Sequence, residues 1–402
     1  SPFSLVSPSP SSLHLINPLQ IVLIMGSLSW LPSCLEQRYS SLPTIVKVGP
    51  IEEADHGFVS TIYRVDLSWT EDGVGPSSVV VKVPGTSKAE ENFSKNLQDE
   101  KGVPQMELTN EDLINFAKNI HQTESAVYGL FLDQPAPFPI PHSIASFEFS
   151  SPHPAIVMED VIEAKTVDIV KGFNEAQVFS IVDSIVQLHV YSFSHSEWRS
   201  LPLKVHENFA GPCKMLIDVI APALIKKNPK EMESIAYVHE MVGTDTTWFT
   251  DYLQKIDKYP SVIVHGDMWC PQFLWRKNKL VSIVDWQLCH AGSLTEDLLH
   301  LLSLCVSSSL RIRLTPRILD YYYKEMKEKL SKKGIEMPFT YDDLLTDYNQ
   351  TLPYISVLAL FSFSFWCNSP VLRRETDEDE ENVAEILSRV VSISSEMVNT
   401  RK

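Results

Sequence analysis

Two aspartates in the middle of the chain have the spacing that most strongly suggests chemistry. Asp267 follows the apolar run 262–264, and Asp285 ends a second apolar run, 280–284. Both runs are rich in β-branched residues and too short for ordinary helices, so we expect two buried strands separated by the polar turn 276–279. Carboxylates at neighbouring strand ends can orient a hydroxyl group and hold a divalent metal on phosphate oxygens.

A set of predicted strands precedes this stretch. The segments 44–49 and 58–67 alternate apolar and polar residues, and a third segment, 78–83, is a run of valines around Lys82; hairpin-length connections join the three. This pattern predicts an antiparallel meander. Lys82 lies among valines in the third strand. It is either an exposed lysine on a strand edge or a lysine that reaches phosphates beneath the loop at Gly57.

The first half of the chain also contains a predicted helix and two further strands. Apolar residues recur at helical spacing over 113–132, and Glu124 lies within this helix. A helical glutamate is usually solvated, but a lysine on an adjacent strand would give it a partner. We expect further strands at 144–149 and 154–160, and the polar end of the last would cross to a second lobe.

Helical patterns dominate the second half. They cover 176–191, 213–226, 230–255, 295–307, 316–332, 341–365 and 383–397. The apolar run 352–367 has about 16 residues, fewer than the roughly 20 of a spanning helix, so we expect a buried helix there. His189 is expected to be a packed histidine, and the acidic segment 373–381 a solvated loop.

Composition limits the class of protein. A net charge of −17 argues against a general nucleic-acid binder. Six scattered cysteines without a C-x-x-C pair fit reduced thiols in a cytosolic protein, and Cys270 is interpreted as a packing residue. We expect neither membrane nor nucleic-acid partners, and the sequence does not predict an oligomeric state. Residues 1–41, rich in Ser and Pro at their start, are interpreted as a disordered extension or gene-model artefact.

A family resemblance follows from the central motif. In His265-Gly266-Asp267, the aspartate precedes Gln272 by five positions and Asp285 by eighteen. This spacing resembles the catalytic loop and metal-binding aspartate of the protein-kinase-like superfamily. Gly266, with Asp-Trp-Gln at 285–287, resembles the branch of aminoglycoside phosphotransferases and choline kinases. The fuller strings H-G-D-x-W and I-V-D-W-Q resemble the ecdysteroid-kinase-like (CHK kinase-like) family, from about residue 44 to 389.

The resemblance implies an α+β, two-lobed protein-kinase-like fold. An antiparallel-sheet N-lobe would span 42–160, and a mostly helical C-lobe would span 161–402 and contain the catalytic loop, 262–290. It also implies a set of ATP-binding residues: Gly57, Phe58, Lys82, Glu124, Met158, Glu159 and Asp160.

The resemblance further assigns roles at the centre. Asp267 would orient or deprotonate a substrate hydroxyl group, and Asp285 and Gln272 would bind Mg²⁺. His265 and Asp297 would support the loop, although Asp297 is equally an ordinary acid at a helix N-terminus. The implied activity is ATP-dependent phosphorylation of a small organic molecule, steroid-like or xenobiotic, in the cytoplasm.

Two departures from the family pattern leave alternatives open. Gln272 stands where the family usually has Asn, and Glu52, Glu53, Ala54 and Asp55 precede the single Gly57. The extra methylene group of Gln272, compared with Asn, moves its amide oxygen by about one bond length. A displacement of about 1 Å in an active site can cost on the order of 100-fold in rate. A catalytically impaired pseudokinase that binds a nucleotide or ligand is therefore the second hypothesis. The third is a metal-dependent hydrolase with ligands His265, Asp267, Asp285 and His290.

Overall fold

The computed structural model describes residues 26–51, 60–85, 110–203, 210–244, 246–258 and 260–401. Its N-terminal lobe is built on a five-stranded antiparallel sheet of strand order β1-β2-β3-β5-β4. The strands are β1 Thr44–Pro50, β2 Ser60–Ser68, β3 Ser78–Pro84, β4 Ser143–Phe147 and β5 Ala155–Glu159. The predicted meander of the first three strands is confirmed.

The pairing of residues between neighbouring strands shows which side chains share a face of this sheet. Lys82 of β3 pairs with Ile62 of β2 and with Ile156 of β5, so these three side chains share one face. Val79 and Val81 point to the other face and are fully buried in the core of the N-terminal lobe. The face that carries Lys82 therefore looks toward the rest of the molecule.

A short helix, α1 (Leu31–Tyr39), covers part of the N-terminal core. Leu28, Leu31 and Leu35 are buried in that core at 2%, 0% and 0% exposure. The prediction of a disordered extension is thus wrong for residues 26–41, while residues 1–25 lie outside the described residues. The three leucines have helical spacing, but the Ser- and Pro-rich residues before them obscured a helix of only nine residues.

Helix α2 (Asn110–Leu130) connects the two lobes. It contacts β3, β4 and the short turn 286–288 that follows Asp285. Val127 and Tyr128 at its C-terminal end are buried in the core of the helical lobe. The helix is therefore placed to hold the sheet against the stretch that carries the two aspartates.

The C-terminal lobe is mostly helical. Its helices are α3 Glu175–Ser194, α4 Ala210–Lys227, α5 Glu233–Thr244, α6 Thr247–Lys258, α7 Glu296–Leu304, α8 Ser308–Lys332, α9 Tyr341–Trp366 and α10 Asp379–Arg401. Helix α3 begins at a capping box between Asn174 and Gln177. The predicted α+β fold, with an antiparallel sheet in the N-terminal lobe and helices in the C-terminal lobe, is confirmed.

The helix boundaries differ most from the predictions in three places. Two helices, α5 and α6, occupy the segment 230–255, for which one helix was predicted. Helix α8 begins eight residues before Pro316, so this proline lies inside it. Helix α10 begins at Asp379, within the acidic segment predicted as a loop. Periodicity locates helices well but fixes their ends poorly, because caps and packing decide them.

Two short antiparallel strand pairs hold the central stretch. Strand β6 (Val262–Val264) pairs with β9 (His290–Gly292), and β7 (Phe273–Arg276) pairs with β8 (Lys279–Ile283). Both predicted strands are present, but they lie in different two-stranded sheets. Strand β9 was not predicted because its three residues carry no recognisable alternation.

The apolar segment 352–367 lies mainly in α9 and is largely buried, which confirms the predicted buried helix. Among the residues that the structure describes, no helix is both long and apolar enough to cross a membrane. His189 is buried, as predicted, and its Nδ1 lies 2.7 Å from the Tyr322 hydroxyl group.

Candidate active site

Lys82 joins the two lobes through ion pairs. Its Nζ lies 2.6 Å from Glu124 Oε2 on α2 and 2.5 Å from Asp285 Oδ1 in the C-terminal lobe. The side chains of Lys82, Glu124 and Asp285 are only 6%, 2% and 19% exposed. Because β3 is central in the sheet, the structure excludes the exposed edge lysine and the solvated glutamate.

The charges of this cluster stabilise one another. Burial alone would lower the pKa of Lys82, but the carboxylates of Asp285 and Glu124 outweigh burial and raise it. Burial likewise opposes ionisation of Asp285, yet the Lys82 ammonium holds the pKa of Asp285 below its ordinary value. Lys82 therefore remains a cation and Asp285 an anion at neutral pH.

Asp297, at the start of α7, fixes the turn 265–267 through hydrogen bonds to its backbone. Asp297 Oδ2 accepts a hydrogen bond from the His265 backbone N–H at 2.7 Å, and Oδ1 accepts one from the Gly266 N–H at 3.0 Å. Asp297 is fully buried. It is thus positioned to brace the loop rather than to act as an ordinary helix-terminal acid.

His265 and Gly266 shape the same turn. The Asp267 backbone N–H donates to His265 Nδ1 at 3.2 Å, so the neutral ring carries its proton on Nε2, which lies 2.9 Å from the carbonyl oxygen of Val284. Burial lowers the pKa of His265 to about 4 and keeps the ring neutral. Gly266 has φ +79°, and a Cβ there would lie 2.5 Å from the Leu288 carbonyl oxygen. Only glycine fits this position.

Asp267 emerges from this turn toward Asp285. Burial, and next the negative charge of Asp285, raise the pKa of Asp267 to about 7. A carboxylate with such a pKa can exchange protons near neutral pH, which is the property of a general base.

Gln272 lies between the two aspartates. Its Nε2 donates to Asp267 Oδ2 and to Asp285 Oδ2, each at 3.0 Å. Gln287 Nε2 also approaches Asp285 Oδ2 at 3.4 Å. The structure thus brings Lys82, Glu124 and Gln272 together with both aspartates in one polar cluster.

A cavity of about 160 Å³ adjoins this cluster between the lobes. Apolar side chains from both lobes line it, including those of Ile62, Val80, Met158, Leu274 and Val284. A slot with apolar walls and charged groups at one end suits a flat ring that carries an anionic substituent.

Met158, Glu159 and Asp160, which were predicted to bind ATP, lie along this cavity. Met158 is buried, with its sulfur 3.7 Å from the Tyr128 hydroxyl group. Asp160 accepts two hydrogen bonds from Arg64, at 2.8 and 3.1 Å, and one from Ser78 at 2.6 Å. The Asp160 carboxylate is therefore hydrogen-bonded to side chains of its own lobe.

The remaining predicted residues are those of the phosphate loop and Glu159. Gly57 and Phe58 lie outside the described residues, as do Glu52, Glu53, Ala54 and Asp55. Glu159 lines the cavity, and its Oε2 accepts a hydrogen bond from the His142 backbone N–H at 3.3 Å. Arg64 was not predicted, although it lies two residues after Ile62 and so on the same, cavity-facing side of β2. Nothing in the sequence links it to Asp160, 96 residues away.

The two histidines proposed as metal ligands are used internally. His265 uses both ring nitrogens within its own loop. His290 Nδ1 lies 2.8 Å from the Leu288 carbonyl oxygen, and its Nε2 lies 3.1 Å from Glu296 Oε2. Over the described ranges, no group of three or more His, Cys, Asp or Glu side chains could hold a metal ion. The geometry disfavours the hydrolase hypothesis.

Comparison with protein families gives one match that covers most of the chain. Residues 44–401 match the family model DUF1679, described as "Uncharacterized oxidoreductase dhs-27". The chain belongs to the DUF1679 family.

Two curated Caenorhabditis elegans proteins are similar to this DUF1679 chain. "Uncharacterized oxidoreductase dhs-27" is 26% identical over 356 residues, which are 82% of this chain and 42% of that protein. "Uncharacterized kinase-like protein D1044.1" is 26% identical over 280 residues, 65% of this chain and 71% of that protein. The chain thus matches less than half the length of the first relative.

Solved structures also resemble the chain at low identity. The GDP and kanamycin complex of APH(2″)-IIia has a TM-score of 0.45 at 12% identity, covering 92% of this chain and 99% of that one. Choline kinase from Cryptosporidium parvum Iowa II has a TM-score of 0.47 at 10% identity, with 88% of each chain covered.

Proposed function

We propose that this chain is an ATP- and Mg²⁺-dependent phosphotransferase that phosphorylates a hydroxyl group of a small organic molecule. The observation that carries the proposal is the ion-pair cluster of Lys82 with Glu124 and Asp285. The Gln272 amide links Asp285 of this cluster to Asp267 by hydrogen bonds. A cation from one lobe is thus in direct contact with Asp285 of the other lobe, and both residues line the cavity between the lobes. Phosphoryl transfer depends mainly on such positioning and electrostatic stabilisation.

In this proposal the nucleotide base occupies the apolar slot between Val80, Met158 and Leu274. The phosphates then extend toward Lys82, whose ammonium donates to their oxygens while Glu124 holds it in place. Residues 42–160 would form the nucleotide-binding lobe, and residues 161–402 the catalytic lobe with the loop 262–290.

The oxygen donors at the site fit Mg²⁺. This ion prefers carboxylate oxygens and commonly binds through one or two carboxylates together with substrate phosphates. Asp285 offers a partly exposed carboxylate beside the phosphate position. Bound there, Mg²⁺ would neutralise charge on the transferring phosphoryl group.

Asp267 would act on the acceptor. Its carboxylate orients the substrate hydroxyl group and accepts its proton as the new oxygen–phosphorus bond forms, while the bond between the γ-phosphorus of ATP and its bridging oxygen breaks and ADP leaves. The pKa of about 7 suits this proton transfer near neutral pH. The resemblance of the H-G-D-x-W and I-V-D-W-Q strings to ecdysteroid-kinase-like proteins supports a steroid-like or xenobiotic acceptor.

A second candidate is a nucleotide-binding pseudokinase, which the orientation of Gln272 favours. Its amide nitrogen faces both aspartates, where an amide oxygen is expected for a metal ligand. The oxidoreductase name belongs to a relative of which this chain matches 42%. This sequence has no G-x-G-x-x-G dinucleotide motif, so an oxidoreductase is not proposed for it.

The proposal is tested by incubating the purified chain with Mg·ATP and libraries of steroids, amino alcohols and hydroxylated xenobiotics. Mass spectrometry would detect products heavier by one phosphoryl group, with Asp267→Ala as the blank. We expect such a product with the wild type and none with the variant. ATP binding without any product would favour the pseudokinase, and equal product from both proteins would refute the role of Asp267.

A further inference from the structure

The amide of Gln272 forms a bridge between the two aspartates. Its Nε2 is 3.0 Å from Asp267 Oδ2 and 3.0 Å from Asp285 Oδ2, and the residue is 6% exposed. The other oxygen of Asp285 is bound by Lys82. The two carboxylates are thus linked to each other through one neutral side chain.

The chemistry of the partners fixes the orientation of this amide. Ionised carboxylate oxygens only accept hydrogen bonds, and a glutamine side chain has its two donor hydrogens on Nε2. If the amide were turned over, Oε1 would face two acceptors and both hydrogen bonds would be lost. The nitrogen must therefore face the aspartates while both are ionised, and Oε1 points elsewhere.

The backbone holds Gln272 in this place. Its N–H donates to the carbonyl oxygen of Trp269 at 3.0 Å, and its own carbonyl oxygen accepts from the Val284 N–H at 2.9 Å. Val284 directly precedes Asp285, so the base of the Gln272 side chain is tied to the same segment as one of its partners. This backbone pairing keeps the Gln272 amide within hydrogen-bond distance of both carboxylates.

We propose that Gln272 is a positioning residue whose amide bridges Asp267 and Asp285, so that the site takes one divalent cation per nucleotide, on Asp285. This inference rests on the proposed nucleotide site. The two N–H groups of the amide do for the two carboxylates what a second cation would otherwise do: they hold the carboxylates together and offset their repulsion. Gln272 then fixes the direction of Asp267 without binding metal.

A single substitution separates this role from metal ligation. Gln272→Glu keeps the length of the side chain but replaces the donor by a third carboxylate, which makes a set of three oxygen ligands between the lobes. The affinity of oxygen sites for divalent cations rises with the number of charged ligands. The matched control is Gln134→Glu, which adds the same charge at an exposed residue just beyond the C-terminal end of α2.

The experiment counts Mn²⁺ by electron paramagnetic resonance with saturating adenylyl imidodiphosphate, a non-hydrolysable ATP analogue. We expect one bound Mn²⁺ per analogue in the wild type and in Gln134→Glu. In Gln272→Glu we expect two, with the spectral broadening of a coupled pair. Two ions in the wild type, or one in all three proteins, would overturn the proposal.

The same titration distinguishes failure of this inference from failure of the proposed function. If the analogue binds to none of the proteins, the nucleotide site is refuted, and Mn²⁺ alone then tests the bridge. We expect Gln272→Glu to bind Mn²⁺ about tenfold more tightly than the wild type and Gln134→Glu, because it adds a charged ligand. Equal affinity in the three proteins would overturn the bridge as well.

Discussion

Replacing Lys82 by Met tests the interlobe ion pairs while keeping most of the apolar stem. The variant leaves Glu124, with 2% side-chain exposure, and Asp285, with 19%, without their cation. Removing one partner of a buried ion pair costs about 3–5 kcal/mol. We expect about 3 kcal/mol, the lower end of this range, because burial already raises the pKa of Glu124, so this carboxyl can take up a proton in the variant.

The pH of the measurement follows from the direction of each shift. The pKa of Asp285 is lowered on folding, so its contribution is present above its unfolded pKa and is lost as the pH falls through the lowered value. The pKa of Lys82 is raised, so its contribution is complete below the unfolded value of 10.5 and is lost only at higher pH. Urea unfolding near neutral pH therefore records both contributions.

Two further variants make the assay decisive. Lys47→Met, at an exposed position of β1, should change the unfolding free energy by no more than about 0.5 kcal/mol. Adding Glu124→Gln to Lys82→Met should recover part of the loss, because it removes the unpaired carboxylate. If Lys82→Met and Lys47→Met have equal stability, the ion-pair cluster is refuted.

Three other variants probe the surroundings of the site. Gly266→Ala should cost at least about 2 kcal/mol of stability, since its φ is positive and its Cβ would meet the Leu288 carbonyl oxygen; wild-type urea unfolding would contradict this. His290→Gln should destabilise more at about pH 6 than at about pH 9, because the pKa of His290 is raised and its pairing with Glu296 is lost as the ring deprotonates; a pH-independent loss would contradict the pairing. Leu31→Ala should lower the melting temperature, with a loss of about 3 kcal/mol; an unchanged value would show that α1 adds nothing to the core.

The sequence predicts those parts of the fold in which local pattern and burial agree. Strand β3 was predicted from a short run of valines around Lys82 that stops at Pro84, and α9 from apolar residues at helical spacing. The helix α1 was missed because its three leucines follow a Ser- and Pro-rich segment. Strand β9 is held by its pairing with β6, and such a distant contact leaves no local pattern.

In the candidate site, too, the residues with a local motif were predicted, and the contacts between distant residues were not. Motif spacing selected Asp267 and Asp285, and the family resemblance added Lys82; the three residues lie in one cluster. The direction of the Gln272 amide depends on which atoms surround it, and the sequence does not contain that information. The engagement of Asp160 by Arg64 likewise requires the register of β2 against the rest of the sheet.

The central claim is that the cavity between the lobes binds the phosphates of a nucleotide through Lys82. Isothermal calorimetry of ATP with Mg²⁺ tests it most directly, with Lys82→Met and Lys47→Met compared at equal protein concentration. We predict one ATP per wild-type chain, an unchanged affinity in Lys47→Met and an affinity at least about tenfold weaker in Lys82→Met, since a charge-assisted contact is lost. No heat of binding in the wild type, or equal affinity in the wild type and Lys82→Met, would contradict the claim.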